Sequence, residues 1–284
     1  MDNEKKVNSL IQSGINYLNK NEIKIAEGIF SEILKENPNN FLSLFNLSLI
    51  FVRKKEFIKA KELLLKAINV NPKNADAHNN LGNVNNHLKN YKDAENCYLK
   101  AININPNYKL AYNNLGNIYK TIGKKEKAEE FYNKAITIDP NNAGSYYNLG
   151  KLYQDLKIYN KAIEFYKKSI EINPSYLDAY NNLGIVHEKI GNYEEAKKFF
   201  FKIIDIDPNY SKSYYNLANV FKDLGDADKS IDLYLKALDL KPNFFQCYNN
   251  LLMSVLYSYK NYDYLKIAKS FDTQLKESKE KNFK

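Results

Sequence analysis

Tryptophan is absent from this chain, and arginine occurs once, at Arg53, among 42 basic residues. Specific nucleic-acid sites favour the bidentate geometry of arginine, so a lysine-only surplus argues against base reading despite the formal charge of +9. Long apolar runs are also missing. Nothing approaches the roughly 20 residues that cross a bilayer. The opening MDNEKKVNSLIQSG has no stretch of signal-peptide type. We therefore expect a cytoplasmic chain with no membrane partner. Chemical motifs are missing as well. No His/Cys/Asp/Glu set has metal-ligand spacing, and no Gly-rich phosphate loop, GxSxG elbow or HExxH occurs. The sequence thus predicts no catalytic residue, no metal, no cofactor and no small-molecule substrate.

Proline is scarce, and its placement organises the rest. The seven prolines, Pro38, Pro72, Pro106, Pro140, Pro174, Pro208 and Pro242, follow one another at intervals of 34 residues. That period belongs to a helix–turn–helix repeat. With Lys109 as position 1, Tyr112, Leu115, Gly116 and Tyr119 hold positions 4, 7, 8 and 11, one face of a first helix. Ala128, Tyr132 and Ala135 hold positions 20, 24 and 27, one face of a second. Gly123, at position 15, marks the break between them, and Pro140 stops the second helix. Position 8 reads Gly14, Ser48, Gly82, Gly116, Gly150, Gly184, Ala218, small enough for two backbones to approach. Position 20 is alanine in six copies and Ser230 in the last.

These residues resemble the tetratricopeptide repeat (TPR) family from Val7 to Phe244. The resemblance implies an all-α right-handed superhelix, an α-solenoid of antiparallel helix pairs. We delimit a polar lead at 1–6 and repeats at 7–40, 41–74, 75–108, 109–142, 143–176, 177–210 and 211–244. A partial eighth repeat with a capping helix fills 245–284, its apolar residues Tyr264, Ile267, Ala268, Phe271 and Leu275 falling at helical spacing. Repeat 1 is degraded, with Ser13 for the position-7 leucine, as a terminal repeat allows. Cys97 and Cys247 are four repeats apart and read as free thiols, which suits a reducing compartment. His78 and His187 stand where other copies have packing aromatics, so they are expected to fill space; His87 is at position 13. The lysines gather on second helices and turns, which are expected to be solvated.

Position 6 carries the functional signal: Asn46, Asn80, Asn114, Asn148, Asn182, Asn216 and Asn250. Position 9 adds Asn83, Asn117 and Asn219. Position 5, on the flank, holds Asn79, Asn113, Asn181 and Asn249, with Tyr147 and Tyr215 between. At 100° per residue, positions 2, 6, 9 and 13 turn away from the predicted core. An amide carries donors and an acceptor together, so such a row suits the backbone of an extended polypeptide. The Asn-Leu-Gly signature and the segment NNLLMSVLYSYKNYDYLKIAKSF also resemble the repeat region of O-GlcNAc-transferase-like (SPINDLY-type) glycosyltransferases. In those proteins the first helices line a concave wall, and an asparagine ladder holds the acceptor polypeptide. No catalytic half lies within these 284 residues. The expected function is a non-catalytic scaffold for an extended polypeptide or protein partner. The alternative is the acceptor-binding part of such a transferase. A carboxylate clamp of the chaperone-tail kind is disfavoured, since position 5 is never lysine and position 6 never basic.

Overall fold

The computed structural model describes residues 2–258 and 262–282, with side chains at 5–258 and 262–276. The stretch 259–261, inside the expected C-terminal segment, lies outside the described residues, as do residues 1, 283 and 284. The chain divides into two compact units, Met1–Pro140 and Asn141–Lys284. The first holds α1 (Asp2–Asn19), α2 (Ile23–Glu36), α3 (Phe41–Arg53), α4 (Phe57–Val70), α5 (Ala75–His87), α6 (Tyr91–Ile104), α7 (Lys109–Thr121) and α8 (Lys125–Ile138). The second holds α9 (Ala143–Asp155), α10 (Tyr159–Ile172), α11 (Leu177–Lys189), α12 (Tyr193–Ile206), α13 (Ser211–Asp223), α14 (Ala227–Leu240), α15 (Phe245–Leu256) and α16 (Tyr264–Asn282). Among the described residues there is no strand. Each unit is a run of antiparallel helix pairs, the α-solenoid arrangement. Within a unit each helix packs on the next, and first helices of successive pairs also touch, as α5 does α7 and α11 does α13.

Each pair turns the same way. The residue at position 15 is left-handed in all seven: Asn21, Lys55, Lys89, Gly123, Lys157, Gly191 and Gly225, with φ between 60° and 80°. The next residue's N–H returns to the carbonyl at position 11, as in Lys124 to Tyr119 and Asn192 to His187, both 2.8 Å. This is a Schellman closure, which ends a helix by pairing its last carbonyls. After the second helix, the position-31 side chain caps the turn around proline; Asn105, Asn173 and Asp207 accept from the backbone N–H two residues on. Where position 34 is asparagine, it caps the next first helix, as Asn40, Asn74 and Asn142 do.

The core follows the expected stripe with one shift. Positions 7 and 8 are buried in the internal pairs, but positions 3 and 10 are buried more consistently than position 4. Ala77, Ala111, Ala179 and Ser213 at position 3, and Val84, Ile118, Leu152 and Val186 at position 10, are sealed. Tyr112, Tyr146 and Tyr214 at position 4 keep partial exposure, because they meet their own second helix at its rim. Gly150 and Gly184 sit against rings: an added Cβ would lie 2.6 Å from Tyr166 and 2.6 Å from Phe200. In pair 1 the positions that elsewhere face a preceding pair are polar Ser9, Ser13 and Asn16, and none of them is buried. That is a physical reason for its degraded pattern. Its helix begins at Asp2, inside the polar lead.

At the other end α16 packs on α15 through Phe271, whose ring stacks on Tyr248 at 5.2 Å. Ile267, Ala268 and Leu275 face inward in part, but Tyr264 is 41% exposed and Tyr262 packs in its stead. A cleft of about 630 Å³ remains between α14, α15 and α16. Leu252, in place of the small residue at position 8, removes the close approach that the glycines allow elsewhere. Cys97 and Cys247 are both free and buried, and burial pushes the Cys247 thiol up to about 12.

Candidate functional site

The asparagines at position 6 lie on one face of the first helices, but they are not a row of free amides. Asn46, Asn80, Asn114, Asn148, Asn182 and Asn250 are half-buried, and Asn216 is buried at 8% exposure. Four of them, Asn114, Asn182, Asn216 and Asn250, hydrogen-bond to the pair before. Asn114 Nδ2 donates to Asn79 Oδ1 at 2.9 Å and to Asn83 Oδ1 at 3.0 Å. Asn182 Nδ2 donates to the hydroxyls of Tyr147 at 3.2 Å and Tyr166 at 3.3 Å. Asn216 donates to Asn181 Oδ1 at 2.7 Å, and Asn250 to Tyr215 Oη at 3.1 Å and Asn219 Oδ1 at 2.9 Å. Asn46 donates to its own helix, at Leu42 O. Each row therefore helps to hold its stack as well as to line a surface.

The position-9 asparagines have a second fixed partner. Asn83, Asn117 and Asn219 accept from the hydroxyls of Tyr98, Tyr132 and Tyr234, at 2.9, 2.7 and 2.6 Å. These phenols lie in the core at position 24, and burial raises the pKa of Tyr98 and Tyr234. In pair 5 position 9 is Lys151, and Gln154 one turn on accepts from Tyr166 at 2.5 Å. Where position 24 lacks a hydroxyl, as in Phe30, Leu64 and Phe200, position 9 is Ile15, Leu49 and Ile185. A buried hydroxyl needs a partner, so the two positions change together. Comparing the copies with one another would have exposed this coupling.

The flank at position 5 is more enclosed than its angle suggested. Asn79 and Asn181 are buried because the following first helix covers them, and Asn113 is buried as well; Asn249 is exposed. Tyr147 packs at a tilt against Tyr176 at 5.0 Å and Tyr215 against Phe244 at 4.7 Å, filling the same space with rings. Tyr108 and Tyr210 donate to Asp76 and Asp178. Burial also raises the pKa of the Glu188 carboxyl from its ordinary value. Positions 2 and 13 are mostly solvent-exposed, as Asp178, Lys189 and Asp223 illustrate.

The lysines lie mostly on the second helices and turns, and many are paired there. Lys134, Lys168 and Lys197 meet Glu130, Glu171 and Glu194. Lys59, Lys127, Lys161 and Lys229, all at position 19, lie 4.7–5.3 Å from the position-11 rings of Phe51, Tyr119, Tyr153 and Phe221. The two copies without such a ring have acids at position 19: Asn85 with Asp93, and His187 with Glu195. His78 and His187 are buried. His78 pairs with Pro72 O at 2.9 Å, and His187 stacks on Phe199 at 5.5 Å. Among the described residues no group of three or more His, Cys, Asp or Glu could hold a metal, and no helix is long and apolar enough to cross a membrane.

No curated relative matches this sequence. Among solved structures, YrrB, described as a TPR protein with an unusual peptide-binding site, aligns with a TM-score of 0.51 and 23% identity, over 67% of this chain and 98% of that one. A MamA protein aligns at 0.51 and 25%, over 60% and 92%. A tetratricopeptide repeat protein from Parabacteroides merdae ATCC 43184 reaches 0.69 at 16% identity, over 88% and 99%. At these identities the likeness is one of fold. Tetratricopeptide repeat models match residues 42–74, 74–141, 143–176, 177–210 and 211–244, more than half of the sequence. The chain belongs to the tetratricopeptide repeat family.

Proposed function

We propose that this chain is a non-catalytic scaffold that holds an extended polypeptide against the asparagine rows of its first helices, in the cytoplasm. One observation carries the reading. The same uncharged hydrogen-bonding side chain recurs at one position of every first helix from α3 to α15, on the face away from the paired second helix. Adjacent helices stack ~10 Å apart and an extended chain rises ~3.3 Å per residue, so within a unit successive asparagines meet about every third residue of a partner. Backbone groups are common to all sequences, which favours breadth over tight sequence choice. Lysines held in ion pairs and over rings leave less free charge for nucleic acid; a steep salt dependence of binding would reverse that preference.

The test uses a random dodecapeptide library presented to the full chain. Peptides of unrelated sequence should be enriched. Changing Asn148, Asn182 and Asn216, consecutive in the second unit, to Ala should weaken their binding roughly 10- to 1000-fold, at ~0.5–1.5 kcal/mol per lost hydrogen bond. Melting should fall too, because Asn182 and Asn216 also tie their pair to the one before; affinities are therefore compared below the variant's transition. Unchanged affinity in the folded triple variant removes the rows from the mechanism. An acceptor-binding role within an O-GlcNAc-transferase-like enzyme would use the same face. Transfer of sugar from a nucleotide-sugar by the purified chain would favour that reading over a scaffold.

A further inference from the structure

We propose that the position-6 asparagines read the N–H donors of the bound chain, and not its carbonyls. This rests on the peptide-holding reading above and adds which half of the partner's backbone is recognised. An asparagine amide has two N–H donors and one oxygen with two lone pairs. In Asn46, Asn114, Asn182, Asn216 and Asn250 the nitrogen is tied back into the protein, to Leu42 O, to Asn79 and Asn83, to two tyrosine hydroxyls, to Asn181, and to Tyr215 and Asn219. With its nitrogen directed inward, each amide has its oxygen left to offer a partner.

The orientation is held by a relay. Tyr98 donates to Asn83 Oδ1, which also receives Asn114 Nδ2; Tyr234 donates to Asn219 Oδ1, which also receives Asn250 Nδ2. Turning the Asn114 or Asn250 amide over would set oxygen against oxygen. Donation by the nitrogen also polarises the amide and makes its oxygen a better acceptor. The rungs are unequal. Asn216 is nearly sealed, and Asn182 Oδ1 already receives Asn181 Nδ2 at 3.3 Å, so Asn114 and Asn250 offer the freest oxygens.

The partner this surface fits is an extended segment with free backbone N–H groups turned toward it. Proline has no N–H, so proline-rich polyproline-II segments are a poor match. Asn, Gln and Lys side chains are acceptable substitutes for a backbone donor, whereas carboxylates are not.

The experiment takes a dodecapeptide enriched by the full chain and resynthesises it twice at each position. One series has an ester in place of the amide, and the other N-methylates it. Both remove a single N–H, but only the ester weakens the neighbouring carbonyl. We expect at least one position where both changes weaken binding about 2- to 10-fold or more. Tolerance of both changes at every position would overturn the proposal while leaving the peptide-holding reading intact. So would sensitivity to the esters alone, since that marks the carbonyl as the group read. Failure to enrich any peptide would overturn the reading beneath it, and this inference with it.

Discussion

Pairs 6 and 7, neighbours in the second unit, share a backbone plan and differ in nearly every polar contact. Pair 6 has Gly184 under Phe200, Ile185 beside that ring, and His187 with Glu195. Pair 7 has Ala218 under Tyr234, Asn219 receiving its hydroxyl, and Phe221 with Lys229. The difference teaches that substitutions here travel in sets. A hydroxyl at position 24 brings an acceptor at position 9, or at position 12 in pair 5, and in pairs 2, 4, 5 and 7 a phenyl or phenol ring at position 11 brings a lysine at position 19. Positions that look independent along the chain are single units in space.

The largest expected effect comes from closing the space under the ring. Gly184→Leu should overpack pair 6 and cost ~1–3 kcal/mol or more, since even a Cβ would meet Phe200 at 2.6 Å. Ala218→Gly, the reciprocal change in pair 7, should cost only the ~1 kcal/mol of helix propensity. Urea titration measures both. Hydrogen exchange should place the Gly184→Leu damage in pairs 5 to 7, because repeats couple to their neighbours. Uniform loss along the chain would contradict that.

The next effect breaks a polar set. In a Glu188→Leu background, which removes the acceptor at the place of Gln154 in pair 5, Phe200→Tyr puts a hydroxyl opposite Ile185 with no acceptor at position 9 or 12, and should cost ~1–3 kcal/mol. Adding Ile185→Asn should recover most of it by copying pair 7. A double-mutant cycle with no coupling would show that the two positions are independent.

The smallest is a pH effect. His187 is buried, both ring nitrogens lack a hydrogen-bond partner, and its pKa is lowered from the ordinary histidine value. Burial is the main cause; Lys167 adds to it and Glu195 opposes it. The unfolded chain therefore binds the proton first. Stability is full above the unfolded histidine value of ~6.5 and is lost as pH falls through the folded one. Replacing the set with that of pair 5, His187→Tyr with Glu195→Lys, should remove this part of the acid sensitivity. Equal slopes of denaturation midpoint against pH in both proteins would count against it.

These comparisons also mark how far the sequence could be read. The period, the proline stops and the small residues at position 8 were legible because each is demanded locally and repeated. Gly123, Gly191 and Gly225 were legible as turns, though Lys55, Lys89 and Lys157 adopt the same left-handed conformation without glycine. The asparagines were legible as a face, but their commitment to the preceding pair was not. The 31- and 35-residue reach from Asn114 to Asn83 and Asn79 exists only once pairs stack. The burial of position 3, where Cys247 is one more small residue, and the outward turn of Tyr264 depend likewise on neighbouring helices.

The central claim is that the first-helix face holds the partner. Hydrogen exchange of the full chain, with and without a saturating library-selected peptide, tests it without any mutation of the rows. New protection should fall on first helices, such as α5 and α7 in the first unit or α11 and α13 in the second, and leave the lysine-bearing second helices α8, α10 and α12 unchanged. Protection centred on those second helices would contradict it.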